Sequence, residues 1–182
     1  MICASRRAVM AGGLTTAIAV PTVAGLADWR WRHGEASVLV YDPALAAGRR
    51  FAAAGEAQGG AVQAIEGDRI RFARAVLEKR PALIAGVSRH ADALLIEDAA
   101  QEAGYSRVTL VSGRAQRCEG AHCNPGWQAL GRLADAAGGA WVEALASYAA
   151  RPGKVMAQAA SAAGRGRADT GLVLGWVLAP RG

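Results

Sequence analysis

From residue 37 onward, short apolar runs alternate with helix-length segments, and this alternation is the strongest constraint on what the chain can fold into. Ser37-Val38-Leu39-Val40-Tyr41 is a continuous β-rich run that closes on Asp42-Pro43. Proline at a first helical position gives up only an N–H that would be unpaired there, and the aspartate before it is a good acceptor for the first turn. The pattern predicts a helix over residues 43–54, ended by Gly55 and Gly59-Gly60.

The same unit recurs. Ala61-Val62-Gln63-Ala64-Ile65 reads as a second strand. Gly67-Asp68 then caps a helix with Ile70, Ala73, Val76 and Leu77 on one face, stopped by Arg80-Pro81. Residues 82–87 form a third strand, and Ser88 is placed as the cap of a helix reaching Ala103. Ala91, Leu94, Leu95, Ala99 and Ala103 are assigned inward in that helix, Glu97, Asp98 and Glu102 outward, and Gly104 closes it. Strand four is Arg107-Val108-Thr109-Leu110-Val111, and residues 172–178 supply a fifth.

Short strands alternating with longer helices imply a mostly parallel sheet covered on both faces. The expected architecture is a small doubly wound α/β three-layer sandwich with five strands in the flavodoxin-like order 2-1-3-4-5. The strand runs start at residues 37, 61, 82, 107 and 172, so the last connection is much the longest. It is read as a cysteine-containing helical insertion at about 113–168, with helices at 128–137, 141–150 and 153–163 and a flexible Gly164-Arg165-Gly166-Arg167-Ala168 link. Trp141 and Trp176 are assigned to the core, and Trp29 and Trp31, alternating with Arg30 and Arg32, to a terminus or a docking surface.

Residues 1–27 have a different character. Arg6 and Arg7 precede a weakly apolar stretch, Ala8 to Ala24, broken by Gly12, Gly13 and Pro21, and Gly25-Leu26-Ala27 offers a small-residue cleavage site. Ser5-Arg6-Arg7-Ala8-Val9-Met10 resembles the twin-arginine (Tat) export signal, with Val9 where phenylalanine is common and no later lysine. The resemblance covers only these residues. It implies a bacterial protein that folds in the cytoplasm and is exported to the periplasm, with a mature α/β domain over 28–182. A general secretory signal and an uncleaved inner-membrane anchor are the alternatives, and the anchor is the only membrane contact foreseen. After residue 27 no stretch approaches the roughly 18 uninterrupted apolar residues of a spanning helix.

The formal charge is +6, from 21 Lys and Arg against 15 Asp and Glu. Arg6 and Arg7 account for two of these, leaving 19 basic against 15 acidic groups after the leader, and the arginines there are dispersed. Nucleic-acid binding needs a focused basic face, usually with aromatics for the bases, so no nucleic-acid partner is expected.

Open α/β sheets bind ligands beyond the carboxyl ends of their strands, where the strand order reverses. In the expected order that crevice lies between strands one and three, rimmed by Asp42, Ser88, Arg89 and His90 and flanked by Asp68 and Ser112. Unpaired helix N–H groups there, with Arg89, suit a small anionic ligand; Asp42, Asp68 and Ser88 are equally read as caps alone. Strand one leads into Asp-Pro-Ala-Leu-Ala-Ala-Gly, with neither Gly-x-Gly-x-x-Gly nor a Walker lysine, so no nucleotide cofactor is predicted. A receiver domain is excluded because strand three ends Val87-Ser88 without an aspartate. With no Gly-x-Ser-x-Gly elbow, the one catalytic arrangement left open is Ser88, His90 and Asp42.

Cys118-Glu-Gly-Ala-His122-Cys123 is the most distinctive local motif. With Cys3 lost in the leader, two cysteines remain, an even number suited to an oxidising compartment. A Cys118–Cys123 disulfide is the preferred reading. The spacing departs from Cys-x-x-Cys redox pairs, and a metal site at Cys118, His122 and Cys123 stays open with Glu119 or a partner residue as fourth ligand.

The leading expectation is an exported, non-catalytic α/β protein acting as an accessory subunit, with a protein partner carried along, or as a small-ligand-binding domain. A crevice enzyme and a redox or metal-handling protein are the alternatives. Thiol titration of the exported protein, with metal analysis, is expected to find no free thiol before reduction, two afterwards and no metal. Free native thiols or bound metal overturn the bridge.

Overall fold

A computed structural model of the chain describes residue 34 and residues 36–112, 140–150 and 173–181. Its elements are β1 (Ser37–Tyr41), α1 (Ala46–Ala57), β2 (Ala61–Ala64), α2 (Arg69–Leu77), β3 (Leu83–Arg89), α3 (His90–Glu102), β4 (Tyr105–Ser112), α4 (Trp141–Ala150) and β5 (Val173–Pro180). The expected helices at 128–137 and 153–163, the cysteine motif and the leader lie outside the described residues.

The fold is α/β with an open five-stranded sheet in the order β2-β1-β3-β5-β4. β1 pairs in parallel with β2 and β3, whereas β5 runs antiparallel to both β3 and β4. This corrects the expected flavodoxin-like 2-1-3-4-5 order and the mostly parallel sheet: β5 is inserted between β3 and β4, and the sheet is mixed. The physical reason lies at the carboxyl edge of the sheet, where β4 ends. Leu174 pairs with Ser112, and Val173 with Arg89, so β5 starts at that edge and runs back. A strand in the middle of a sheet is covered on both faces and therefore reads as an unbroken apolar run. β5, VLGWVLAP, is buried at every position but the last.

Two cores lie on opposite faces of the sheet. On one, Phe51 of α1 and Trp141, Val142 and Leu145 of α4 pack over Leu39, Ala85, Val87 and Val177. On the other, Ala73, Val76 and Leu77 of α2 and Ala93, Ile96, Ala99 and Ala100 of α3 cover Val38, Val40, Ile84, Trp176 and Leu178. The connection from β1 to β2 runs one way across the sheet and those from β2 to β3 and β3 to β4 the other. Right-handed crossovers then place α1 opposite α2 and α3. A bidentate pair, Arg50 Nε and Nη2 to the two Glu143 carboxylate oxygens at 2.6 and 2.7 Å, ties α4 to α1.

Local chemistry explains the element boundaries. α1 starts at Ala46 rather than 43 because Asp42 folds Pro43 and Ala44 into a turn. The Ala44 N–H donates to Asp42 Oδ1 at 2.9 Å, and the Leu45 N–H to the Asp42 carbonyl at 3.2 Å. Gly48 lets the first turn of α1 sit against that carbonyl, which a Cβ would overlap. Asp68 caps α2 as expected, its Oδ1 accepting from the Arg71 N–H at 2.7 Å. Ser88 is not the cap of α3. Antiparallel β5 provides ladder partners for Ser88 and Arg89, so β3 continues to Arg89 and Arg89 takes the N-cap position.

That shift accompanies a rotation of α3 relative to expectation. Of the residues assigned inward only Ala99 is buried, while Leu94 and Leu95 are 48% and 45% exposed. Two ion pairs set the phase from either flank: Asp92 with Arg69 of α2, at 2.9 Å, and Glu97 with Arg107 of β4. Between them an alanine-rich face lies close on the sheet.

Tyr105 joins β4 to the segment before β3. Its hydroxyl donates to the Pro81 carbonyl at 2.7 Å, and burial raises the phenol pKa above its usual value, with Arg80 acting in the opposite direction. A phenol harder to ionise in the folded state contributes stability that is complete below about pH 10 and is lost as pH rises through the folded value. Tyr105→Phe is expected to cost about 1 kcal/mol at neutral pH. It should also flatten the alkaline fall in stability, as measured by urea unfolding from pH 8 to 11.

Candidate functional site

The strand order reverses between β1 and β3, with β2 on one side and β3 on the other. This left half of the sheet is as expected, so the insertion of β5 leaves the carboxyl ends of β1 and β3 side by side, the place where open α/β sheets bind ligands. Asp42 follows β1 there, and Arg89 and His90 join β3 to α3. The Asp42 N–H donates to the Val87 carbonyl at 3.0 Å, which holds the two strand ends together.

Asp42 is the one acidic or basic residue in the buried set among the described residues, at 4% exposure. Its two oxygens differ. Oδ1 caps the turn through Ala44, whereas Oδ2 is buried and accepts no hydrogen bond. Arg89 Nε faces Oδ2 at 3.5 Å from a side chain that is 59% exposed. That separation is long for a charge-assisted hydrogen bond, which runs to about 2.7–2.9 Å. A buried acceptor left without a donor costs about 1–3 kcal/mol, and an ion pair with an exposed arginine returns about 0.2–1 kcal/mol. The carboxylate is therefore only partly compensated.

α3 begins beside this pair. Its N-cap, Arg89, makes no side-chain cap bond, and the acidic residue of its first turn, Asp92, is engaged with Arg69. Among the described residues the N-cap side chain therefore gives the first-turn N–H groups of α3 no acceptor, and these groups lie where an anion is favoured by the helix dipole. Arg69 also donates to the Gly67 carbonyl at 2.6 Å, so it braces the start of α2 against the start of α3. The sequence carried no sign of this brace, because Arg69 and Asp92 meet only through the packing of two helices.

The remaining expected site residues are dispersed. Ser88 is fully buried, and its hydroxyl is occupied on both sides. Trp176 Nε1 donates to Ser88 Oγ at 3.0 Å, and that hydroxyl donates to the Arg89 carbonyl at 3.1 Å. Ser88 therefore belongs to the core beneath α2 and α3, and the structure does not bring it together with Asp42 and His90 as a triad. His90 is exposed at the first position of α3. Asp68 serves as the α2 cap. Ser112 ends β4, which β5 moves one strand spacing, about 4.8 Å, further from β1. Cys118, Glu119, His122 and Cys123 lie outside the described residues, among which no group of three or more His, Cys, Asp and Glu is arranged to hold a metal.

Trp176 lies in the core, as its sequence context predicts, and there it has a task that spacing does not reveal. A buried indole N–H needs an acceptor. Gly86 and Ser88, spaced by two on one face of β3, are a slot for the ring and an acceptor for its N–H; a Cβ at Gly86 would overlap the ring.

Comparison with protein-family models, with curated proteins and with solved structures finds no match. The site therefore rests on its own geometry. Ser88→Ala is expected to lower stability by about 1–3 kcal/mol through the orphaned indole N–H. It should leave the response of the α3 amides to acetate unchanged, which calorimetric unfolding and a parallel acetate titration check.

Proposed function

We propose that this chain is an exported, non-catalytic α/β domain that binds a small organic acid in the crevice between the carboxyl ends of β1 and β3. One observation carries the reading. The only buried charge among the described residues, Asp42, stands at that crevice with Arg89 and the uncapped start of α3. Arg89 supplies a cation on an exposed stem, and the first-turn N–H groups of α3 supply further donors for a carboxylate.

Ligand binding without catalysis is favoured over the enzyme reading because the Ser88 hydroxyl, its intended nucleophile, is committed to Trp176 and to the Arg89 carbonyl. Export to the periplasm rests on the leader pattern around Arg6 and Arg7. Of the two halves of the leading expectation, accessory subunit and ligand-binding domain, the second is the one to which a described site contributes.

Acetate is a sufficient probe. Backbone-amide NMR titration with sodium acetate, with sodium chloride as the ionic-strength control, is expected to shift His90, Ala91 and Asp92 saturably with a Kd of about 1 mM. In Arg89→Ala the same shifts should be lost. Shifts scattered over the surface, or saturable shifts that persist in Arg89→Ala, overturn the proposal.

A further inference from the structure

The ligand must satisfy two groups that the crevice holds side by side, and this narrows its chemistry. Asp42 Oδ2 is an acceptor with no donor, on a side chain 5% exposed, and Arg89 Nε is a donor 3.5 Å away. Only the arginine is free to move, because the other Asp42 oxygen is fixed by Ala44 and its backbone N–H by Val87. When a carboxylate takes Arg89, the guanidinium turns toward the ligand and Oδ2 loses its one partial partner. A plain carboxylate would then leave that buried oxygen wholly unpaired, which counts against binding.

From the arrangement of Asp42 Oδ2, Arg89 and the α3 N-terminus, we infer that the ligand is a carboxylic acid bearing a hydrogen-bond donor on its α-carbon, a hydroxyl or an ammonium. The inference rests on the acid-binding reading above and deepens it. The short separation of Nε and Oδ2 sets the spacing. A donor reaching Oδ2 and a carboxylate oxygen reaching the guanidinium must lie within a few ångströms of one another, as they do on adjacent carbons. The carboxylate then sits at the first turn of α3, and the α-donor fills the place beside Oδ2. Recognition of this kind discriminates strongly, because a site that hydrogen-bonds an OH or NH rejects the analogue that lacks it.

Glycolate, glycine and acetate separate the possibilities. Titrated against the full chain by amide NMR, glycolate or glycine is expected to bind at least about tenfold more tightly than acetate, and the tighter of the two identifies the donor. Asp42→Asn keeps an oxygen for the Ala44 N–H but replaces the free acceptor with a donor. In that variant the ratio to acetate should fall to about one. The comparison of the three ligands on the unaltered chain decides the matter even if the variant does not fold. Equal affinity for all three overturns this inference while leaving acid binding intact. Failure of all three to shift the α3 amides overturns the underlying reading instead. A preference that survives in a folded Asp42→Asn protein shows that the donor is read elsewhere and also overturns the inference.

Discussion

The indole of Trp176 lies across Gly86 and donates its N–H to Ser88, and much of the sheet depends on that contact. It fixes β5 against β3 at one register, because only a residue without a Cβ admits the ring and only a polar residue two positions on satisfies its nitrogen. A slip by one residue would put the ring against the opposite face and leave a polar group unpaired in the core. With β5 held there, β4 gains a neighbour, Arg107 on β4 meets Glu97, and α3 takes its rotational setting between that pair and Arg69–Asp92. The strand that interrupts the parallel order is thus the one that organises the right half of the domain.

The junction of Asp42 and Arg89 depends on little of this. It is formed by β1, β3 and the segments that leave them, and its geometry follows from local chemistry: an aspartate that turns the chain after β1, and a strand end that becomes the N-cap of α3. The two halves of the domain meet at Ser88. Its backbone extends β3 toward the crevice while its side chain is spent on the core. One residue further, Arg89 has the opposite orientation and reaches Asp42. Strand alternation alone separates the structural serine from the arginine that faces Asp42.

Where elements were legible in the sequence, the signal was local. Asp68 capping α2, the apolar stripe of Ala73, Val76 and Leu77, and the strands around Val38–Val40 and Ile84–Val87 follow from spacing within a few residues. The α/β class and the adjacency of β1 and β3 followed from their repetition. What escaped was non-local. Chain length between β4 and β5 reports how much chain intervenes and nothing about the direction in which it returns, so spacing alone puts β5 at the edge. Its unbroken apolar character, set against Ser106, Arg107 and Thr109 in β4, was a sign of a central strand that the order 2-1-3-4-5 left unused. The phase of α3 escaped for a different reason. Leu94 and Leu95 outweigh alanines on any apolar scale, but the small residues allow closer approach to the sheet, and the flanking ion pairs decide which side turns inward. The same limit applied at the candidate site: the placing of Asp42 and Arg89 at neighbouring strand ends was legible, whereas the burial of one Asp42 oxygen and the withdrawal of Ser88 required the fold.

The position of β5 has a consequence for the order in which the domain is made. β1, β2 and β3 pair with one another and are available as soon as residues up to Arg89 have left the ribosome. Among the described strands β4 pairs with β5 alone, so it waits for residues synthesised more than sixty positions later. Until then β3 presents an open edge with an empty slot at Gly86, and β4 waits as an unpaired strand. The middle of the sheet is the last part of it to be translated, so a nascent chain stopped short of Val173 lacks its centre rather than its margin.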